Sequence, residues 1–265
     1  MNQGLKNKTI GIFFAALWAS ASAATKFGIR SADPLILANV RFLVAGGLML
    51  LFSHGFFPSK SPLPRGREWR QLLLFSLLNT TLYLSAFVIA MRDVAAGIGS
   101  LSTATGPLFV IVLSALWLQR TLKLWEAIGV VLGLSGAALA TWPLLQNSYA
   151  TPQGLLILMA GIVSVSTASV YYAKIEWRLP ALVINGWQVL LGGVMLLPFT
   201  LYFSDWQHSQ LNTTFWLSVF WLIVPCFYCL IAIMVLFTCQ DTIKAVTLAI
   251  SMSYFWVYFF FYSTP

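Results

Sequence analysis

The chain has 265 residues, of which 59% are hydrophobic and only 8% charged, and its formal net charge is +8. A soluble domain carries about 25% charged residues, whereas the 15 basic and 7 acidic residues here sit in short clusters between long uncharged stretches. That pattern excludes a soluble enzyme, a disordered chain and a nucleic-acid binder, and since a bilayer crossing takes about 20 apolar residues, the length holds about nine or ten such helices.

In chain order the spans are expected at 9–29, 34–55, 70–90, 94–118, 125–145, 153–174, 180–203, 215–238 and 245–262. The first stretch, Thr9 to Ile29, is too long for the apolar core of a signal peptide and has no clear cleavage site, so it reads as a span. The runs are continuous and do not alternate over ten-residue segments, which favours helices over a membrane barrel. Cys226 and Cys229 form a CxxC inside an apolar run, without a second pair or a nearby His. They read as small packing residues, and neither a metal nor another cofactor is expected.

Positive charge sets the orientation. With the N-terminus in the cytoplasm, the inner segments hold Lys6, Lys8, Lys60, Arg65, Arg67, Arg70, Arg120, Lys123, Lys174, Arg178 and Lys244, against Lys26, Arg30 and Arg92 outside, or 11 against 3. The basic residues are thus topology determinants beside anionic lipid, and not a nucleic-acid face.

The stretch from Pro34, PLILANVRFLVAGGLMLL, repeats at Pro180 as PALVINGWQVLLGGVMLL, with seven of eighteen positions identical at an offset of 146. The matches include Pro34/Pro180, Asn39/Asn185, Gly46/Gly192 and Gly47/Gly193, and Asp93 echoes Asp241. The chain thus divides into two units, 1–145 and 146–265. A unit with an odd number of spans enters the membrane from opposite sides when repeated, so the copies are inverted. Such repeats are typical of secondary transporters, with the substrate site near the midplane and one half rocking against the other. The second copy has four spans where the first has five, so a ten-helix plan is expected here with its tenth helix missing.

Several features in order resemble the EamA-type branch of the drug/metabolite transporter superfamily. They are Trp18-Ala19-Ser20, Arg41 after Asn39, the small-residue run Ala95 to Gly106 closed by Pro107, Leu118-Gln119-Arg120, and Ile128-Gly129 with Gly136. Gln119 stands where the family usually has an acidic residue, and Trp187 stands where the second copy would match Arg41. The resemblance implies an all-α polytopic membrane protein of two inverted five-helix repeats, here with about nine transmembrane helices. It implies export or exchange of small metabolites in the bacterial cytoplasmic (inner) membrane, without an ATPase domain.

Candidate functional residues are chosen by their cost in lipid. Arg41 is either an anion clamp or gate, or a cation that snorkels or caps carbonyls. Lys26, one turn from the outer end of its span, reads as a rim residue. Ser76, Asn79, Thr80 and Tyr83 share one helical face by i, i+3, i+4, i+7 spacing, which serves either a pocket or helix–helix contact. Ser102 and Pro107 lie in the small-residue span, where proline removes a backbone donor and makes a hinge or a free carbonyl. By repeat logic Ser166, Tyr171, Tyr228, Ser251 and Tyr254 converge with Trp18 on the same cavity. Gly129, Gly133 and Gly136 are assigned to packing. Such a pocket, walled by aromatics and poor in fixed charge, suits amino-acid-like or amphipathic solutes. The partners expected are that small molecule and the bilayer, with no nucleic acid, for a monomer or homodimer. The alternative is a non-transporting or inactive truncated protein with a structural or assembly role. An intramembrane enzyme is disfavoured, because His54 and His208 lie near loops on opposite sides and no acid lies deep in a span.

Overall fold

The computed structural model describes residues 20–56, 62–117, 119, 121, 123–146 and 149–224. The expected span at 245–262, and most of those at 9–29 and 215–238, lie outside the described residues. So do Trp18, Tyr228, Ser251 and Tyr254, as well as Cys226, Cys229 and Asp241.

The described residues form helices and no strand. The helices are α1 (20–28), α2 (Pro34–Phe56), α3 (Arg67–Ser76), α4 (Tyr83–Ala90), α5 (Ala96–Ala104), α6 (Gly106–Trp117), α7 (Leu124–Gln146), α8 (Pro152–Lys174), α9 (Ala181–Phe203) and α10 (Thr213–Val224). A π-helical turn, Leu77–Leu82, joins α3 to α4. Among the described residues five stretches are long and apolar enough to cross a membrane: Pro34–Gly55, Arg67–Ala90, Ala96–Trp117, Pro152–Lys174 and Ala181–Phe203. Shorter apolar stretches, Leu124–Ala140 and Thr213–Val224, occupy the places expected for the fifth span and the start of the eighth.

Helix starts are written into the sequence by side chains that accept otherwise unpaired N–H groups. Asp33 accepts from Leu35 N at 2.9 Å, Thr151 from Gly154 N at 3.0 Å and Asn212 from Phe215 N at 3.0 Å. Glu126 reaches back to Lys123 N (3.1 Å), the reciprocal half of a capping box, and Glu68 to Arg65 N (2.8 Å) just ahead of α3. Glu126 thus begins a helix.

Helices α2 and α9 form the most extensive contact. Gly46 lies against Leu190, Leu50 against Gly186 and Leu43 against Gly193, so the helices run antiparallel in a register that sets Ala45 opposite Leu191. The contact depends on glycine. A Cβ placed on Gly46 would fall 2.5 Å from the Leu190 backbone nitrogen. One on Gly192 would overlap Thr80, whereas Gly47 has open space beside it. Asn39 Nδ2 donates to Gly193 O at 3.0 Å across the same seam.

The connections after α1, α4, α7 and α9 meet at one end of the bundle. There Gln210 N donates to Ser31 O (2.7 Å), Thr151 N to Asp93 O (3.1 Å) and Ala95 N to Tyr149 O (2.9 Å), and Val94 and Ala150 pair as one antiparallel β-bridge. The described cations of the opposite end include Arg65, Arg67, Arg70, Lys123, Lys174 and Arg178, with Lys174 Nζ 5.9 Å from the Trp117 ring centroid. Two of the apolar clusters among the described residues lie towards opposite ends of the bundle, and Met49 packs with Phe52 and Leu182 in a smaller one. One gathers Phe42, Phe87, Met91, Ile98 and Phe215 towards the end holding the linked connections. The other gathers Leu72, Phe75, Leu179 and Ile184 towards the basic end. Trp125, Leu132, Leu139 and Trp142 of α7 are exposed, as expected of a face turned to lipid.

Candidate functional site

A polar layer lies between the two apolar clusters, where span 3 meets α8 and α9. The expected stripe Ser76, Asn79, Thr80, Tyr83 does not keep to one face. The π-helical turn places an extra residue in the helix and rotates the residues beyond it. Ser76 Oγ donates back to Leu72 O at 2.6 Å within its own helix. Asn79 Nδ2 donates to Gln188 Oε1 at 2.7 Å, and Gln188 Nε2 donates to Asn185 Oδ1 at 2.7 Å. Thr81 Oγ1 donates to Gly192 O at 3.1 Å. Asn79 and Thr81 therefore tie span 3 to α9. The Thr80 hydroxyl is buried beside Gly192 without a hydrogen-bond partner.

Tyr83 is buried, with its ring 6.5 Å from that of Phe87 and close to Gly161 of α8. It lies within electrostatic reach of Arg41. Both residues stand seven positions from the same end of the bundle, Arg41 from Pro34 and Tyr83 from Ala90. Arg41 is only 5% exposed, and its guanidinium carbon lies 5.8 Å from the Phe42 ring centroid. It is buried and does not extend to the surface.

Span 4 does not continue as one helix. Ser102, Thr103 and Thr105 hydroxyls return to the carbonyls of Gly99 (2.8 Å), Ser100 (2.8 Å) and Ser102 (2.7 Å), and α5 ends at Ala104. Such back-bonds bend a helix, and Pro107 brings no N–H to resume the ladder. Helix α8 supports both irregular segments. Ser164 Oγ donates to Leu78 O at 2.8 Å in the π-helical turn, and Ser166 Oγ to Gly106 O at 3.3 Å at the break. Tyr171 is half-buried against the Leu72–Phe75 cluster, near the stacked rings of Tyr172 and Trp177. This puts it towards the basic end, away from Tyr83. Trp187 packs edge-on against Trp69, centroids 4.9 Å apart.

Lys26 takes part in a second feature, a cleft of about 690 Å³ at the end where the connections meet. Its Nζ donates to Arg92 O at 3.4 Å. Gln188 is the residue that sequence reasoning overlooked. Its signal was an uncharged amide one turn after Asn185 on a glycine-rich helix.

Comparison with known proteins places the chain. The sequence profile of the EamA-like transporter family matches residues 8–142. The chain belongs to the EamA-like transporter family. This EamA protein is 26% identical over 74% of its length to a protein of Synechocystis named as an uncharacterized transporter, covering 64% of that protein. It is 31% identical over 71% of its length to YedA of Escherichia coli, named as an uncharacterized inner membrane transporter, covering 60% of it. It is 26% identical over 78% of its length to YvbV of Bacillus subtilis, also named as an uncharacterized transporter, covering 68%. The chain thus spans less than two-thirds of the length of the Synechocystis and Escherichia coli relatives. The family and the apolar helices make this an integral membrane protein of a transporter family.

Proposed function

We propose that this EamA protein is a secondary transporter that exports or exchanges small amino-acid-like or amphipathic metabolites by alternating access. It sits in the bacterial cytoplasmic membrane with its N-terminus cytoplasmic, as a monomer or homodimer. Residues 1–145 and 146–265 are its two inverted repeats on a five-plus-five plan.

The register of α2 on α9 carries this reading. That register sets Ala45 opposite Leu191, its equivalent under the repeat offset of 146, near the middle of both helices. Helices related by a two-fold axis in the membrane plane run antiparallel and, where they touch across that axis, meet at equivalent residues. Both conditions hold here, which supports a pseudo-two-fold in the membrane plane and the rocking of two halves about it. The basic end, with its six described cations, supports the cytoplasmic assignment of that side.

Substrate contacts are assigned to Trp18, Asn79, Tyr83, Ser102, Pro107, Ser166, Tyr171, Tyr228, Ser251 and Tyr254, and gating to Lys26 and Arg41. Among the described residues no acid or histidine lies deep in a span to serve a proton relay, so facilitated export or exchange is the mode. The test is flux in proteoliposomes against a broad amino-acid and metabolite panel, repeated with Tyr83→Ala. Flux of at least one solute, reduced by the substitution, is expected. The absence of flux for every solute overturns the proposal, and a measured proton stoichiometry overturns the uncoupled mode.

A further inference from the structure

The cleft beside Lys26 has a composition the polar layer of Asn79, Thr81 and Gln188 does not explain. Three cations line it, Lys26, Arg30 and Arg92, on a wall otherwise made of small and apolar residues such as Ala23, Ala95 and Phe27. Like charges in one cleft repel, and low-dielectric walls strengthen the repulsion. Only part of it is offset. Arg92 pairs with Asp33, and Asp93 acts on Lys26 at longer range. Among the described residues no carboxylate lies within salt-bridge distance of Arg30, whose guanidinium carbon stands 5.3 Å from the Phe27 ring centroid. Three cations against Asp33 and Asp93 leave one positive charge in excess. The volume of about 690 Å³ falls within the usual range for a small-molecule site.

We infer that this cleft is an entry site for a monoanionic oxyanion, a carboxylate carried on an apolar body. Arg30 and Lys26 take the carboxylate, and the alanines and Phe27 take the body. The inference rests on the transport reading and deepens it by naming its substrate class: solutes with one free carboxylate.

Lys26 Nζ donates to the Arg92 carbonyl, which places its ammonium at the cleft. Arg30 is exposed and makes no ion pair among the described residues, so it can be removed without opening the fold. Arg92 is unsuitable as a probe, because its loss would strand Asp33.

The experiment titrates the purified full chain, in lipid nanodiscs of phosphatidylcholine, with phenylacetate and with phenylacetamide. The two probes share ring and shape and differ in charge. Phenylacetate is expected to bind about tenfold more tightly, the size of one charge-assisted hydrogen bond. Arg30→Gln and Lys26→Gln should each lower phenylacetate affinity towards that of the amide, at an unchanged melting temperature and with unchanged amide binding. Repeating the titration in discs containing phosphatidylglycerol separates two sources of the oxyanion. Weaker phenylacetate binding there, absent in Arg30→Gln, assigns the site to a lipid headgroup that the solute displaces. Unchanged binding assigns it to the solute alone. Equal affinity for the two probes in the parent chain, or discrimination that survives both substitutions, overturns the inference. Binding is read without flux, so a chain that discriminates but carries no solute fails the transport reading alone. One that carries uncharged solutes without discriminating fails this inference alone.

Discussion

At the scale of single residues, the amide chain Asn79–Gln188–Asn185 gives the sharpest test of the polar layer. Each of its two 2.7 Å bonds joins neutral groups inside a bundle where water is scarce. Interhelical hydrogen bonds in membranes average about 0.6 kcal/mol, but an amide left without a partner in the interior costs about 1–3 kcal/mol. Gln188→Leu should therefore destabilise more than Asn79→Leu, because it strands two amides and not one. The double variant should cost less than the sum of the single changes. Thermal melting in detergent measures all three, and strict additivity would show that the pair does not interact. The pair was half legible in the sequence. Asn79 stood out as an amide among apolar residues, but Gln188 was hidden beside Trp187, and no periodicity links positions 109 residues apart.

A second residue-scale expectation concerns the connection after α9. His208 Nδ1 lies 2.7 Å from Asp205 Oδ2, and these contacts hold the Asp205 carboxyl below the usual carboxylate range. A depressed carboxyl contributes stability above its unfolded value and loses it as pH falls through the folded one. Asp205→Asn should thus lower the melting temperature slightly at neutral pH and leave it unchanged in strong acid. The pair is exposed, so the difference should shrink as salt is added. A salt-independent difference would point to something other than the pair.

At the scale of elements, glycine and irregular backbone decide what the sequence pattern alone leaves open. The repeated Gly-Gly reads the same in both copies, yet only three of the four glycines are filled by a neighbour. Gly46, Gly192 and Gly193 meet Leu190, Thr80 and Leu43, while Gly47 meets nothing. Gly46→Ala should cost about 1–3 kcal/mol by overpacking against backbone, and Gly47→Ala nothing measurable. Equal melting temperatures for the two variants would refute the seam. Spans 3 and 4 behave in the opposite way. Their limits were legible from hydropathy, but regular helical spacing misplaced the stripe beyond Ser76. The Leu77–Leu82 turn is π-helical, and Ser164 supplies the bond to Leu78 that sustains it. Pro107 was visible as a break. Its partner Ser166, expected at the pocket, bonds the Gly106 carbonyl beside the break. Of the glycines assigned to packing in α7, Gly133 meets Leu108, while Gly129 and Gly136 meet no neighbour among the described residues.

At the scale of the whole molecule, the distribution of basic residues already required the connections to alternate between two ends, and the structure gathers those after α1, α4, α7 and α9 at one of them. What the sequence could not convey is that these connections bond to one another across the proposed halves. Val94 belongs to the first unit and Ala150 to the second, and they face each other in an antiparallel bridge. Residues so paired have Cα atoms about 4.5–5.5 Å apart, within the span a disulfide bridges. If one half rocks against the other, this end must part for solute to pass. The pair Val94→Cys and Ala150→Cys should therefore abolish proteoliposome flux when oxidised and recover it on reduction, with each single cysteine active throughout. Because the bridge lies beside Ala95 and Ala96 of the cationic cleft, the oxidised protein should still bind phenylacetate at its entry site while carrying no solute. Full flux in the oxidised state would mean that this end does not open, and the rocking of the two halves would be excluded as the transport motion.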